Sequence, residues 1–339
     1  MNVNSRIEII ARLGELLRTE AWENSISESI ANNPWFNKKW IDLSISSWAQ
    51  ALTSSNISKW IARYPTLSTP TLPLKVQIVM AGNLPLVGLH DLLCIFLSGH
   101  KAVAKLSSKD KVLMLALVNK LKEEFPDLKD YIELSDALSQ ESDAIIATGT
   151  DSTKLFFEAE YQDIPGIFRG NRNSVALLSG MESDDELASL SLDLLSYYGL
   201  GCRNVSHIIS PNKDTLIRLS EVLRNSSQDI QNQGYINSIT QNRAVFTLRK
   251  QEFIDAHDIL LIESEQISSP VGIVNYQISG SQSYTKNWIS ANSDSIQCIV
   301  SSLDGFESSV KPGQSQYPEL WDYSDNIDTL NFLINLPTP

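Results

Sequence analysis

Apolar positions along the chain keep two rhythms, and the change from one to the other divides it. Between residues 2 and 65 they recur at helical spacing. Ile7, Ile10, Leu13, Leu16 and Leu17 fall on one stripe, which predicts a helical layer. Trp22, Trp35, Trp40, Trp48 and Trp60 are spread through that layer and read as packing residues that cover the next domain or a partner subunit. Tyr64 to Pro73, rich in Pro, Ser and Thr, is a connector. From there short apolar runs alternate with helical ones. Strands are predicted at Val76 to Met80, Lys101 to Ser108, Tyr131 to Leu134 and Asp143 to Thr150. Helices are predicted at Leu86 to Phe96, Lys111 to Glu124 and Ser152 to Glu158. The alternation implies right-handed βαβ crossovers and a mostly parallel sheet covered on both faces.

A second αβ unit follows. Residues 170–178 read as a polar turn feeding an apolar strand. From Asp184 the leucines Leu187, Leu190, Leu194 and Leu195 and then Tyr198 repeat at helical spacing, and Gly199 and Gly201 end the helix. Ser206 to Pro211 is a strand and Lys213 to Arg224 a helix. Ser226 to Asn242 is polar and shows no assignable period. Strands recur at Ile259 to Ile262, Val271 to Tyr276 and Ile296 to Val300. From Lys311 onward the chain is rich in Pro, Tyr and Trp and reads as an arm that packs onto the body. There is no internal repeat.

Composition narrows the function class. The 339 residues carry a formal net charge of -13, with no basic run that would meet nucleic-acid phosphate. A small anionic substrate is still compatible, because a local positive pocket can sit on an acidic protein. Three cysteines without paired spacing suit neither a disulfide framework nor a zinc site, and the expected setting is the reducing cytoplasm. The first residues lack the continuous apolar core of a signal peptide. Leu84 to Leu97 is interrupted by Pro85, His90 and Asp91 and is too short and polar for a membrane span.

Candidate chemistry gathers at Cys202, on a glycine turn between helix and strand. The adjacent Arg203 favours its thiolate, the reactive form; a buried structural thiol is the plainer alternative. Cys94 and Cys298 lie in apolar elements and are expected to be inert. His207 could activate the thiol as in a cysteine hydrolase or acyltransferase, but an odd offset along a strand places the two side chains on opposite faces. His90, His100 and His257 are scattered, so no metal site is indicated. Ligands of parallel sheets bind beyond the carboxyl ends of the strands, which groups Asn83, Lys105 and Thr148-Gly149-Thr150 on one rim. The Gly-x-Gly-x-x-Gly fingerprint is absent, although the Thr148 to Thr150 turn can present N–H groups to a phosphate at a helix start.

The order of these motifs resembles the aldehyde dehydrogenase superfamily, and within it the luminescence-type long-chain acyl-CoA reductases. Asn83-Leu-Pro-Leu is similar to that family's Asn-Phe-Pro-Leu turn, whose Asn binds the oxyanion. Gly99 to Lys105 resembles the strand whose Lys reaches the cofactor ribose. Ala147 to Thr150 resembles the Phe-Thr-Gly-Ser turn beside the cofactor, and Gly201-Cys202 the nucleophile turn. Glu265 to Val271 resembles Glu-Glu-Ile-Phe-Gly-Pro-Val in part, with Gln266 at the ribose-binding Glu. The resemblance runs from about residue 75 to 275.

It implies a two-domain α/β fold with a Rossmann-like parallel sheet and a second αβ catalytic domain. The expected division is a helical layer at 1–70, a cofactor domain at 71–175 and 310–339, and a catalytic domain at 176–309. The hydrolytic members carry Glu-Leu-Gly-Gly-Lys, and the Glu position falls here at Phe168. Without that base water attack should be slow, while coenzyme A can still exchange the acyl group. A family Glu that repels a 2′-phosphate is replaced by Ser108, followed by Lys109, so NADPH is expected over NADH. The implied reaction is reduction of a fatty acyl-CoA to aldehyde through S-acyl-Cys202, with coenzyme A leaving. A thioesterase or acyltransferase, or a catalytically degenerate scaffold subunit, is the alternative. A homodimer or tetramer and an acyl-transfer or synthetase partner are further expectations of the resemblance.

Overall fold

The structure is a computed structural model that describes every residue except 20–21, 69–71, 140, 226–229, 307 and 338–339. Part of the expected connector and part of the polar stretch after α-helical residue 225 therefore lie outside the described residues. The chain forms two compact units, Met1–Asn171 with Tyr317–Pro339, and Arg172–Gln316. These boundaries differ from the expected 175/176 and 309/310. The strand that starts at Asn173 belongs wholly to the second unit's sheet. Nor does the helical layer stand apart, since Ile10, Leu13 and Trp60 share one core with Val76 and Ile78.

The first unit opens with α1 (Val3–Leu16), α2 (Glu23–Asn32), α3 (Lys38–Ala51) and α4 (Ser54–Ile61). Asn2, Asn37 and Thr53 accept hydrogen bonds from the first-turn N–H groups of α1, α3 and α4, supplying the missing partners there. Then come β1 (Lys75–Val79), α5 (Leu89–Ser98), β2 (Lys101–Lys105), α6 (Val112–Glu124), β3 (Ile132–Ser135), β4 (Ala144–Thr148), α7 (Asp151–Glu160) and β5 (Gly166–Arg169). The strands pair in parallel in the order β3-β2-β1-β4-β5. The order reverses between β1 and β4, which places the ligand crevice of such a sheet at their carboxyl ends.

Pairing register puts Phe168, Ala147, Val79, Lys105 and Ser135 in one row on one face. The opposite face, with Ile78, Ala104 and Ile146, packs under α5 and α6 in the large core. On the first face only α7 packs among the described residues, closing a small cluster of Val79, Ile145, Ala147 and Phe157. Among the described residues the link from β3 to β4 contains no helix, so the expected cover on both faces is incomplete there. Leu155 and Phe156 of α7 are left 65% and 57% exposed.

The second unit contains β6 (Asn173–Leu177), α8 (Asp184–Leu195), β7 (Val205–Ser210), α9 (Lys213–Asn225), α10 (Gln233–Arg249), β8 (Ile254–Asp255), β9 (Leu260–Glu263), β10 (Ile273–Ile278), α11 (Gln282–Ala291), β11 (Ile296–Ser301) and β12 (Ser309–Val310). Its sheet runs β12-β11-β6-β7-β10-β9-β8, parallel except at β8. A capping box between Ser183 and Glu186 starts α8. Asp193 of α8, fully buried, accepts hydrogen bonds from the N–H groups of Gly313 and Ser315, and so ties down the chain that leaves this sheet. Among the described residues no helix is long and apolar enough to cross a membrane.

The returning chain adds α12 (Thr329–Ile334) to the first unit. Buried polar contacts hold it there. Trp60 Nε1 donates to the Tyr323 hydroxyl (2.8 Å), which lies 2.7 Å from the Tyr64 hydroxyl, and Tyr64 donates to Asp328 (2.8 Å). His100 accepts from the Leu74 N–H on Nδ1 and bonds the Leu333 carbonyl through Nε2. Replacing Tyr323 by Phe would leave the Trp60 N–H buried and unpaired. A loss of about 1–3 kcal/mol is expected, read as a lower urea midpoint; an unchanged midpoint would show that the hydroxyl chain contributes nothing to docking the segment.

Candidate active site

Helix α8 ends at Leu195, earlier than its apolar spacing predicts. Tyr197 and Tyr198 follow in left-handed backbone, at φ 53° and 60°. Two adjacent non-glycine residues in this region cost about 1–2 kcal/mol each, so other contacts must hold them. Asn204 supplies these. Its Nδ2 donates to the carbonyls of Asp193 (3.1 Å) and Ser196 (2.8 Å) at the end of α8, and its Oδ1 accepts from the Gly201 N–H (2.9 Å). Its backbone N–H returns to the Gly201 carbonyl and its own carbonyl accepts from the Ser174 N–H. The Ser174 hydroxyl then donates to the Cys202 carbonyl (2.9 Å). The peptide groups on both sides of Cys202 are thereby held, at the amino end of β7. The cysteine itself is half-buried, whereas Cys94 and Cys298 are buried.

The segment after β9 runs along this strand. Ser206 donates to the Ile267 carbonyl (2.7 Å), while His207 Nδ1 and Asn275 Nδ2 both donate to the Gln266 carbonyl (2.8 Å each). Gln266 is thus brought against β7, with its backbone held and its side chain exposed. His207 is spent in the same contacts. It is fully buried, its ring stacks on Trp288 at 4.8 Å, and burial pushes its pKa down.

The remaining candidates lie on the first unit. Asn83 is exposed on the turn after β1, and Lys105 is half-buried at the end of β2. Ser107 packs so closely on Gly82 that a Cβ there would lie 2.2 Å from its hydroxyl oxygen. Ser108 and Lys109 are exposed on the same β2 loop. Thr148 and Gly149 are half-buried beyond β4, and Thr150 caps α7 by accepting the Thr153 N–H. Asp151, the acidic residue of the first turn of α7, accepts the backbone N–H of Asn171 (2.8 Å). The structure therefore places Asn83, Lys105, Ser108, Lys109 and the Thr148 to Thr150 turn at the carboxyl edge of one sheet. Cys202 lies on the turn that leads into β7 of the other sheet, and Gln266 on the segment between β9 and β10 that packs against β7.

This donor set fits a phosphorylated nucleotide, with two lysines and several hydroxyls beside the β1/β4 reversal. At the position of the hydrolytic Glu, Phe168 turns into the apolar cluster and lies over Gly166, where a Cβ would meet its ring at 2.4 Å. The next residue, Arg169, is buried and paired with Asp91 (2.6 Å) and Thr329 (2.6 Å). Asn204 and Ser174, which hold the cysteine turn, and the buried Asp110, which accepts the Leu86 N–H after β1, are residues that the sequence did not single out. Among the described residues no cluster of His, Cys, Asp or Glu is arranged to hold a metal ion.

No protein-family model and no curated protein sequence matches the chain. Solved structures do. Proline utilization A from Corynebacterium freiburgense is similar at 13% identity and a TM-score of 0.66, over 100% of this chain and 41% of its own. Lactaldehyde dehydrogenase from Escherichia coli is similar at 13% identity and 0.66, over 91% of this chain and 76% of its own. An NAD+ complex of aldehyde dehydrogenase from Bacillus cereus is similar at 12% identity and 0.62, over 91% and 73%. The fold is that of the aldehyde dehydrogenases, as expected. The chain spans well under half the length of the first of these.

Two outcomes follow from the geometry. Iodoacetamide should label the native protein once, at Cys202, with Cys94 and Cys298 modified only on unfolding; mass mapping that finds either buried cysteine modified first would contradict the placement. His100 and His207 are both buried with pKa values pushed below the ordinary 6.5 by desolvation. Below that pH the unfolded chain binds protons that the folded chain does not. Stability should therefore fall on acidification from about pH 6.5, by up to about 1.4 kcal/mol per pH unit for each histidine. His207→Gln should remove its share of that slope in urea titrations, and an unaltered slope would mean that His207 titrates alike in both states.

Proposed function

We propose that this protein reduces an acyl thioester, of the fatty acyl-CoA kind, to the aldehyde through an S-acyl intermediate on Cys202. The observation that carries the reading is at residue 168. The resemblance puts the water-activating Glu of hydrolytic relatives there, and the chain has a Phe whose ring is packed among Val79, Ala147 and Phe157. An acyl group on Cys202 then lacks a base to drive hydrolysis and persists for other chemistry.

In this reading the Cys202 thiolate attacks the thioester carbonyl and the C–S bond to coenzyme A breaks. Coenzyme A leaves as its thiol after gaining a proton, and the acyl group remains on the cysteine. Asn83 and a backbone N–H of the cysteine turn meet the charge that develops on the carbonyl oxygen. The pinning by Asn204 and Ser174 favours this, because a fixed nucleophile needs no reorganisation during attack. A bound nicotinamide cofactor would supply the hydride that takes the acyl group to the aldehyde level. Lys105, Thr148 to Thr150 and Gln266 would hold that cofactor. Ser108 and Lys109 would take its 2′-phosphate, which favours NADPH over NADH. The resulting thiohemiacetal collapses, releasing the aldehyde and restoring the Cys202 thiolate.

The test is a steady-state assay with hexanoyl-, decanoyl- and tetradecanoyl-CoA. Oxidation of NADPH should match coenzyme A release one for one, and Cys202→Ser should lower both by about a thousandfold or more. Lys109→Glu should raise the KM for NADPH by about tenfold while changing that for NADH little. Coenzyme A release without oxidation of NADPH would replace the reductase by a hydrolase or transferase.

A further inference from the structure

The turn after β1 is not in a conformation it would adopt unaided. Leu86, three residues beyond Asn83, has φ 59° and is 1% exposed. A leucine in left-handed backbone costs about 1–2 kcal/mol. Asp110 lies 24 residues away in sequence, and its Oδ2 accepts the Leu86 N–H at 2.7 Å. Ser44 of α3 donates to the Pro85 carbonyl at 2.8 Å, on the other side of the turn. Both ends of the turn are shut as well. A Cβ on Gly82 would lie 2.2 Å from the Ser107 hydroxyl oxygen, and one on Gly88 would lie 2.5 Å from Met80 Cγ.

Asp110 is an expensive residue to place here. It is 7% exposed, it forms no ion pair among the described residues, and its Oδ1 is buried without a hydrogen-bond partner. Burying such a carboxyl costs stability that an apolar side chain would not. Its visible return is one short hydrogen bond to the N–H of the strained residue of this turn. We infer that Asp110 is the positioning residue of the Asn83 turn, setting the side-chain amide for thioester attack; the inference rests on the role given to Asn83 above.

A double-mutant cycle tests it, with acyl-enzyme formation from decanoyl-CoA followed by intact mass. Asn83→Ala should slow acylation about 100- to 1000-fold. Asp110→Ala should slow it about 10- to 100-fold at unchanged half-saturation, and the double variant should be no slower than Asn83→Ala alone. Asp110→Asn keeps an acceptor for the Leu86 N–H and should stay within about threefold of the parent protein. Alkylation of Cys202 by iodoacetamide creates no oxyanion, so in Asp110→Ala it should stay within about twofold, which separates positioning from general damage to the fold. If Asn83→Ala is slow and Asp110→Ala is not, or if the two effects multiply, the inference falls while the reading of Asn83 stands. If Asn83→Ala acylates like the parent, the reading falls and takes the inference with it.

Discussion

One buried side-chain amide supports the cysteine turn of the second unit. Asn204 joins the frayed end of α8 to the start of β7 with three side-chain hydrogen bonds. Each such bond contributes about 1 kcal/mol net. Together they are of the size needed to offset the two left-handed tyrosines that precede the turn. Without them the carbonyls of Asp193 and Ser196 and the N–H of Gly201 would each lose a partner. The backbone around Cys202 would then have cheaper conformations available to it. The nucleophile proposed here depends on this constraint, because a thiol that moves by an ångström loses much of the advantage of orientation.

The first unit shows the same economy at a different scale. Its sheet reverses between β1 and β4, and the loops beyond those strands carry Asn83 and the Thr148 to Thr150 turn. Neither loop is held by its own residues alone. The first is gripped from the β2 loop by Asp110 and from α3 by Ser44. The second rests near Arg169, whose guanidinium joins Asp91 of α5 to Thr329 of α12. The C-terminal segment thus does more than cover the core. Through Thr329, and through Tyr323 and Asp328, it fixes groups behind the edge where a cofactor would be held. Among the described residues no helix links β3 to β4, and there this sheet is leaner than a fully doubly wound one.

Much of the fold was legible because buried strands leave plain apolar runs. Val76 to Met80, the run ending at Thr148 and the run at Val205 to Ser210 could each be placed within a residue or two. Elements with little buried surface were not legible. In α10 only Tyr235, Ile239 and Phe246 are buried, and in α11 only Thr285; neither carries a clear stripe. The edge strand β5 is four residues long, too short for a period to show. Cys202, the proposed nucleophile, was singled out from its glycine turn and its place in the motif order. Asn204, Ser174 and Asp110 were not. Their work is done through hydrogen bonds to backbone groups that are near only after folding, and no local pattern distinguishes them from surface polar residues. Tyr198 misled the reading for a related reason, since an aromatic residue at helical spacing does not announce the left-handed backbone that it and Tyr197 adopt.

The central claim is that the sulfur of Cys202 carries the acyl group between its arrival as a thioester and its departure as an aldehyde. It is tested most directly by incubating the protein with decanoyl-CoA in the absence of nicotinamide, mapping the adduct by mass spectrometry, and then adding NADPH. The account expects one decanoyl group on Cys202 that survives in water and leaves as decanal when NADPH is added. An adduct on another residue, or one that water removes as readily as NADPH does, would contradict it.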